Sequence, residues 1–367
     1  MPRQLLFLPG PVMVAPPVLR AMDRPLIDHR GPEFAAMLER IIRALRPVFG
    51  TRGEIAILGS SGTGGMEALV ANLFTPGERL LSCPVGSFGK RFAGIAASYG
   101  CTVETLETPL GAAVDPAALQ ARLHADSDRR ITGVLLTHNE TSTGVANDMA
   151  ALAPMLRAHG AITLVDSVSG LGASEFRMDE WGYDAVATAS QKALAAPPGV
   201  AMVALSERAR ARLENRALAR FYFDLRRALE FSHIGQTPWT PPISILFALD
   251  VALAAYHAAG MQAAFERHAG FAGFVRSELQ RLGFTLLSHP GAHSDTVVAA
   301  YPPPGIDPGP LLRTLREEYG IVLSGGQAEL AGKIVRFGTM GDVAASDLQT
   351  AFEAIEAAQL ELTSGVA

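Results

Sequence analysis

Lysine is the scarcest charged residue in this chain of 367 residues: Lys90, Lys192 and Lys333 are all it has, and arginine carries nearly all the positive charge. Cysteine is scarcer still, with only Cys83 and Cys101. Two cysteines outside any CxxC pair exclude a disulfide framework and a zinc knuckle, and two reduced, buried thiols are expected. A basic tail and a lysine-rich stripe are also missing. With a formal net charge of −5, the chain has no general attraction to nucleic acid or to anionic lipid. Long apolar runs are lacking too, since the best helical candidate, Ile243 to Ala259, is interrupted by Asp250 and His257. The apolar stretch from Leu5 to Val18 is broken by Pro9, Pro11, Pro16 and Pro17, and no small-residue cleavage site follows it. A cytoplasmic protein without nucleic-acid or membrane partners, and without a metal site, is therefore expected.

What is present is material for a large core. Hydrophobic residues at 49% against charged residues at 18% describe a compact globular chain, and the length suggests two domains. From about residue 50 to 205, short runs of Val, Ile and Leu alternate with amphipathic stretches, the pattern of a parallel sheet flanked by helices. Strands are expected at Ile55 to Leu58, Arg79 to Ser82, Val103 to Leu106, Gly133 to Thr137, Ile162 to Asp166, Ala185 to Thr188 and Val200 to Ala204. Apolar spacing predicts helices at Phe34 to Val48, Gly65 to Phe74, Lys90 to Ser98 and Met149 to Ala158. The segment from Glu207 to Ile243, with Pro238, Pro241 and Pro242 around Trp239, reads as an excursion from the sheet. Two amphipathic helices follow, about Ser244 to Ala259 and Met261 to Leu282, and then a Gly/Pro-punctuated α+β region.

Three features carry chemistry. Lys192 follows the strand ending near Thr188, at the rim of a parallel sheet where ligands bind. A Schiff base needs a primary amine whose pKa can fall, which arginine cannot supply. Asp166 ends its own strand at the same rim, where a carboxylate can keep a pyridine nitrogen protonated; the plainer reading is a helix cap. The run Gly59-Ser60-Ser61-Gly62-Thr63-Gly64-Gly65 joins a strand to a helix, so backbone N–H groups, the Ser61 and Thr63 hydroxyls and the helix start can cradle one phosphate. It fits neither GxGxxG nor GK[ST], which weakens dinucleotide and ATP readings.

Together the glycine-rich cup, the strand-end Asp and the post-strand Lys resemble the fold type I enzymes that use pyridoxal 5'-phosphate. Pro9-Gly10-Pro11, His29 to Phe34, Ser61 to Gly64, His138 to Gly144, Asp179 to Gly182, Ser190-Gln191-Lys192 and Gly332 to Arg336 narrow the resemblance. They are similar to the class V alanine:glyoxylate and serine:glyoxylate aminotransferases, in order, from about residue 5 to 358. The resemblance implies an α/β fold with a mostly parallel seven-stranded sheet sandwiched by helices, plus a smaller C-terminal α+β domain. The corresponding ranges are a large domain over 21–250, a small domain over 251–367, and an arm over 1–20 near the active site.

The same resemblance makes Lys192 the Schiff-base lysine and Asp166 the partner of the ring nitrogen. Ser61, Gly62, Thr63 and Gln191 match phosphate ligands. Phe88 matches the ring that stacks on the cofactor, Val168 the apolar residue on its other face, and Thr141 a hydroxyl near the phenolic oxygen. Thr240 matches a residue reaching the phosphate in the neighbouring subunit, which implies a homodimer with shared sites. Some members place a tyrosine where this chain has Thr237, so that contact is expected to be thinner. Arg336 matches the clamp for the substrate α-carboxylate, a role its guanidinium fork suits. Gly10 lets the backbone of the arm approach the substrate. The expected reaction moves an amino group from alanine or serine to glyoxylate or pyruvate by a ping-pong route. Alternatives are another fold type I enzyme, such as a lyase or desulfurase, and a nucleotide-binding α/β protein without this cofactor.

Overall fold

The computed structural model describes residues 4–214 and 220–364. Strands β1 (Glu54–Leu58), β2 (Arg79–Cys83), β3 (Thr102–Thr105), β4 (Ile131–Thr137), β5 (Ile162–Asp166), β6 (Ala185–Ala189) and β7 (Ala201–Leu205) form one sheet, in the order β1-β7-β6-β5-β4-β2-β3. Strand β7 runs antiparallel to both its neighbours, and every other pair is parallel. The C-terminal ends of β1, β2, β4, β5 and β6 therefore share one edge. Every residue of β5 and β6 is buried, which is why apolar residues face both sides of each strand.

Helices cover both faces. Helix α1 (Pro32–Phe49) starts on Pro32, stops at Gly50 with φ +64°, and lays Phe34, Met37, Leu38, Ile41 and Leu45 along one stripe. That stripe packs with Val165 and Val186 of the sheet and with Leu246 and Phe247 of a later helix. On the other face, helix α2 (Gly62–Leu73) and helix α3 (Ser87–Ser98) bring Met66, Leu69 and Phe92 against Leu135, Leu164 and Ala187. Truncating one of these fully buried leucines to alanine costs about 2–5 kcal/mol. The segment that leaves the sheet packs back over it, and Leu213, Leu225 and Leu229 join this second core. Residues 215–219 of that segment lie outside the described residues.

Helix α4 (Ile243–Ala259) continues the large core through Ala252 and Leu253, and the expected boundary at 250/251 falls inside it. The chain turns by 88° into helix α5 (Met261–Arg281), with Gly260 at φ +90°. Among the described residues no single helix is long and apolar enough to cross a membrane. The C-terminal part carries strands β8 (Thr285–Leu286), β9 (Val297–Tyr301), β10 (Ser324–Gly325) and β11 (Val335–Gly338), antiparallel in the order β8-β9-β11-β10. Val275, Leu279, Leu315, Phe337 and Phe352 close its core.

The arm is fastened to this second core. Leu5–Leu6 pairs in parallel with Ile321–Val322, Gly338 donates its N–H to the Phe7 carbonyl at 2.8 Å, and the Phe7 and Phe337 rings lie 4.6 Å apart. From there Pro9 and Gly10 run over the edge of the large sheet.

Candidate active site

The shared edge gathers the residues singled out above, and two helix starts shape it. Helix α2 begins at Gly62, three residues earlier than its periodicity predicts, so Gly62, Thr63 and Gly64 form its first turn and not a loop before it. A Cβ at position 62 would lie 2.6 Å from Val168 Cγ2, so only glycine lets the helix start this close to the loop after β5. The N-cap Ser61 makes no side-chain bond to the helix, which leaves its hydroxyl and the first-turn N–H groups open to an anion.

Helix α3 likewise begins at Ser87 and not near Lys90. The buried carboxylate of Glu140 explains this, since its Oε2 accepts from the N–H groups of Phe88 (2.9 Å) and Gly89 (3.1 Å). Phe88 is thereby fixed in the first turn, beside the phosphate cup. The other oxygen of Glu140 accepts from the N–H and hydroxyl of Ser142, at 3.0 and 2.6 Å. Burial pushes the Glu140 carboxyl above its usual range, and these four donors oppose that shift.

Lys192 lies half-buried in the loop after β6, and its Nζ donates to the Pro9 carbonyl at 2.5 Å. Burial pulls its amine down to about 8; Asp166 opposes this, while the positive charges of Arg336 and Arg91 add to it. Gly10, at φ +131°, passes directly over the amine, and a Cβ there would collide with Lys192 Nζ. Asp166 is buried at the end of β5, its Oδ1 accepting from Val168 N at 3.0 Å. Burial raises its carboxyl to about 7 against that hydrogen bond; Glu140 raises it further, and Lys192 and Arg91 lower it. A carboxyl poised in this way takes its charge when a cation arrives beside it.

Arg336, only 5% exposed, projects from β11 of the C-terminal four-stranded sheet. Its Nε donates to the Gly325 carbonyl at 2.8 Å and its Nη1 to the Thr141 carbonyl at 3.0 Å, so both domains hold it. No carboxylate forms an ion pair with it among the described residues, and Nη2 stays uncommitted there. Burial disfavours its charged form, and Glu140 supports that form. Thr141 is buried beside it.

The edge thus brings together Gly10, Gly62, Thr63, Phe88, Thr141, Asp166, Val168, Gln191, Lys192 and Arg336. Ser61 is exposed at its rim. Thr240 is exposed in the loop after Trp239, and no hydrogen bond joins it to these residues. Thr237 turns its hydroxyl inward, onto the Trp239 carbonyl at 2.7 Å. Sequence reasoning missed Glu140, His138 and Arg91. Burial holds His138 neutral, with a pKa near 4, and its Nδ1 lies 2.8 Å from Ser167 Oγ, just after Asp166. The only sequence signal for Glu140 was a carboxylate inside the His138 to Gly144 run.

This donor set suits pyridoxal phosphate. The Gln191 side-chain oxygen is buried without a hydrogen-bond partner among the described residues; that oxygen only accepts, so it is the NH2 end of the amide that would serve an anion beside the glycine cup. A primary amine, a buried carboxylate and an aromatic ring at a helix start complete the fit. Sheet order and site together define a fold type I transferase dependent on pyridoxal phosphate. The chain belongs to the class-V aminotransferase family, which it matches over residues 22–348. It is similar to a Synechococcus protein named soluble hydrogenase, small subunit, with 34% identity covering 98% of this chain and 94% of that one. It is also 36% identical to an L-aspartate–glyoxylate aminotransferase of Paracoccus denitrificans, covering 92% of this chain and 86% of that one. The crystal structure of an alanine–glyoxylate aminotransferase from Nostoc superposes with a TM-score of 0.93 at 30% identity, covering 98% and 96% of the two chains.

Proposed function

We propose that this aminotransferase moves an amino group from a small amino acid, alanine or serine, to glyoxylate or pyruvate. Bound pyridoxal phosphate supplies a ring that withdraws electrons from the amino acid's α-carbon. Lys192 would hold it through its amine, and the same Nζ would take the α-proton of the donor. Asp166 holds the proton on the ring nitrogen. Ser61, Gly62, Thr63 and Gln191 would hold the phosphate, Phe88 and Val168 would pack on the ring, and Thr141 would offer a hydroxyl to it. Arg336 clamps the α-carboxylate so that the Cα–H bond stands perpendicular to the ring. The oxo acid formed from the donor leaves before the acceptor enters, which is ping-pong kinetics. The reading includes a cytoplasmic homodimer in which Thr240 reaches the phosphate in the neighbouring subunit. It divides the chain into an arm, a large domain and a small domain, with the boundary moved from 250 to the bend at Gly260.

A dicarboxylic donor needs a second cation, and the observation that favours a small, singly charged donor is that Arg30, Arg226 and Arg227 are engaged elsewhere. Arg30 donates to Gln236 Oε1 (2.8 Å) and the Thr237 carbonyl (2.9 Å), Arg226 pairs with Glu230 (3.0 Å), and Arg227 lies over the Trp239 ring (4.8 Å). A desulfurase reading is disfavoured because Cys83 is buried at the end of β2, where burial pushes its thiol to about 12, and Cys101 is buried as well. The test is a screen of alanine, serine and aspartate as donors against glyoxylate and pyruvate. Alanine or serine should give the highest kcat/KM, and a preference for aspartate would overturn the donor assignment.

A further inference from the structure

Arg91 lies one turn into α3 and has no role in the scheme above. Its Nη1 donates to the Thr63 hydroxyl at 3.2 Å, and its guanidinium covers the Phe88 ring at 4.6 Å from the ring centre. No carboxylate forms an ion pair with it among the described residues. It is thus a cation held by one hydroxyl of the glycine cup and by the aromatic ring beside that cup. A hydroxyl that accepts from a guanidinium keeps its own proton to donate, and its O–H is polarised by the bond it accepts. Thr63 stands in the first turn of α2, where the N–H groups already favour an anion.

We propose that Arg91 is a positioning residue for the cofactor phosphate, acting through the Thr63 hydroxyl; this rests on the cup assigned under the proposed function. Arg91 orients the Thr63 proton into the cup and adds a positive charge at its rim. The same charge favours a neutral Lys192 and an ionised Asp166, the protonation states the reaction starts from. The distal carboxylate of a dicarboxylic substrate is an anion of the same chemistry, and the experiment separates the two.

Apoenzyme is titrated with pyridoxal phosphate and with pyridoxal, which lacks the phosphate, while intrinsic fluorescence is followed. Arg91→Gln should weaken pyridoxal phosphate binding roughly ten- to a hundredfold and leave pyridoxal within about twofold, as for loss of a bond to a charged group. Thr63→Val should do the same, and the double variant should be no weaker than the weaker single one, because one residue acts through the other. Arg91→Lys should recover part of the affinity. Equal losses for both ligands would make Arg91 a support for Phe88 or for the fold, and additive losses would remove Thr63 from the path. Unchanged cofactor affinity with a raised KM confined to aspartate would assign Arg91 to the substrate. Wild-type protein that binds pyridoxal as tightly as its phosphate would instead overturn the cup itself.

Discussion

The Lys192 amine is held 2.5 Å from the carbonyl oxygen of Pro9, so the arm touches the reactive nitrogen directly. Gly10→Ala should therefore leave the fold intact and disturb the amine alone. The variant adds a methyl group where the Nζ lies and strains a backbone at φ +131°. Cofactor capture, followed by visible absorbance, should slow by about tenfold or more, with little change in far-UV circular dichroism.

Lys192→Ala should bind the cofactor without a covalent link and lose transamination by several orders of magnitude, since attachment and proton transfer both depend on one nitrogen. In the wild type, capture requires the neutral amine. With that amine at about 8, the capture rate should rise as pH is raised through 8 and level off above it. An unlinked lysine would keep rising toward its ordinary value of 10.5, which stopped-flow absorbance distinguishes.

Asp166 contributes to the pH dependence of the cofactor-free protein. Its folded pKa of about 7 lies above the ordinary 3.8, so the native state keeps a proton that the unfolded chain has lost between those values. This contribution is fully present below the lower value and disappears as pH rises through the upper one, with a slope of up to about 1.4 kcal/mol per pH unit. Asp166→Asn should flatten that decline in urea unfolding of apoprotein. It should also slow carbanion formation in the holoenzyme, because an amide cannot hold the ring proton by charge. Equal pH slopes in both proteins would remove the buried carboxyl from the account.

Arg336→Ala should lower kcat/KM for amino acids by roughly thirty- to a thousandfold, or about 2–4 kcal/mol of transition-state binding. Arg336→Lys should raise KM for donor and acceptor alike, since an ammonium offers a point contact in place of a fork. A primary amine without a carboxylate should react at the same slow rate in all three proteins. A change within about twofold for every amino acid would move the clamp to another cation.

The strands of the large sheet were legible to within two residues, because all but the edge strand β3 are largely buried and dominated by apolar residues. The helix starts at Met149 and Met261 were equally legible, whereas those of α2 and α3 were not. The early start of α3 depends on Glu140, far away in sequence, and that of α2 on the Val168 side chain beside Gly62. Periodicity reports the apolar stripe of a helix and is silent about a first turn stabilised from another element. Lys192, Asp166 and the cup could be read because each is punctuation after a strand. Arg91 stayed hidden because it has the ordinary appearance of a solvated charge on a helix. The excursion over 207–243 carries no strand, as expected, but its proline-rich end masked two short amphipathic helices, Glu207–Glu214 and Leu225–His233.

The fastening of Leu5–Leu6 to Ile321–Val322, and of Phe7 to Gly338, sets an order on biosynthesis. Residues 5–7 have no partner until residues 320–338 have followed them off the ribosome. The large sheet contains only residues 54–205 and is free to collapse earlier, leaving Lys192 uncovered by Pro9 until β11 has been made. A chain that terminates before residue 321 would thus carry a formed sheet and a lysine open to any aldehyde in solution. Only completion of the C-terminal strands draws the arm across it.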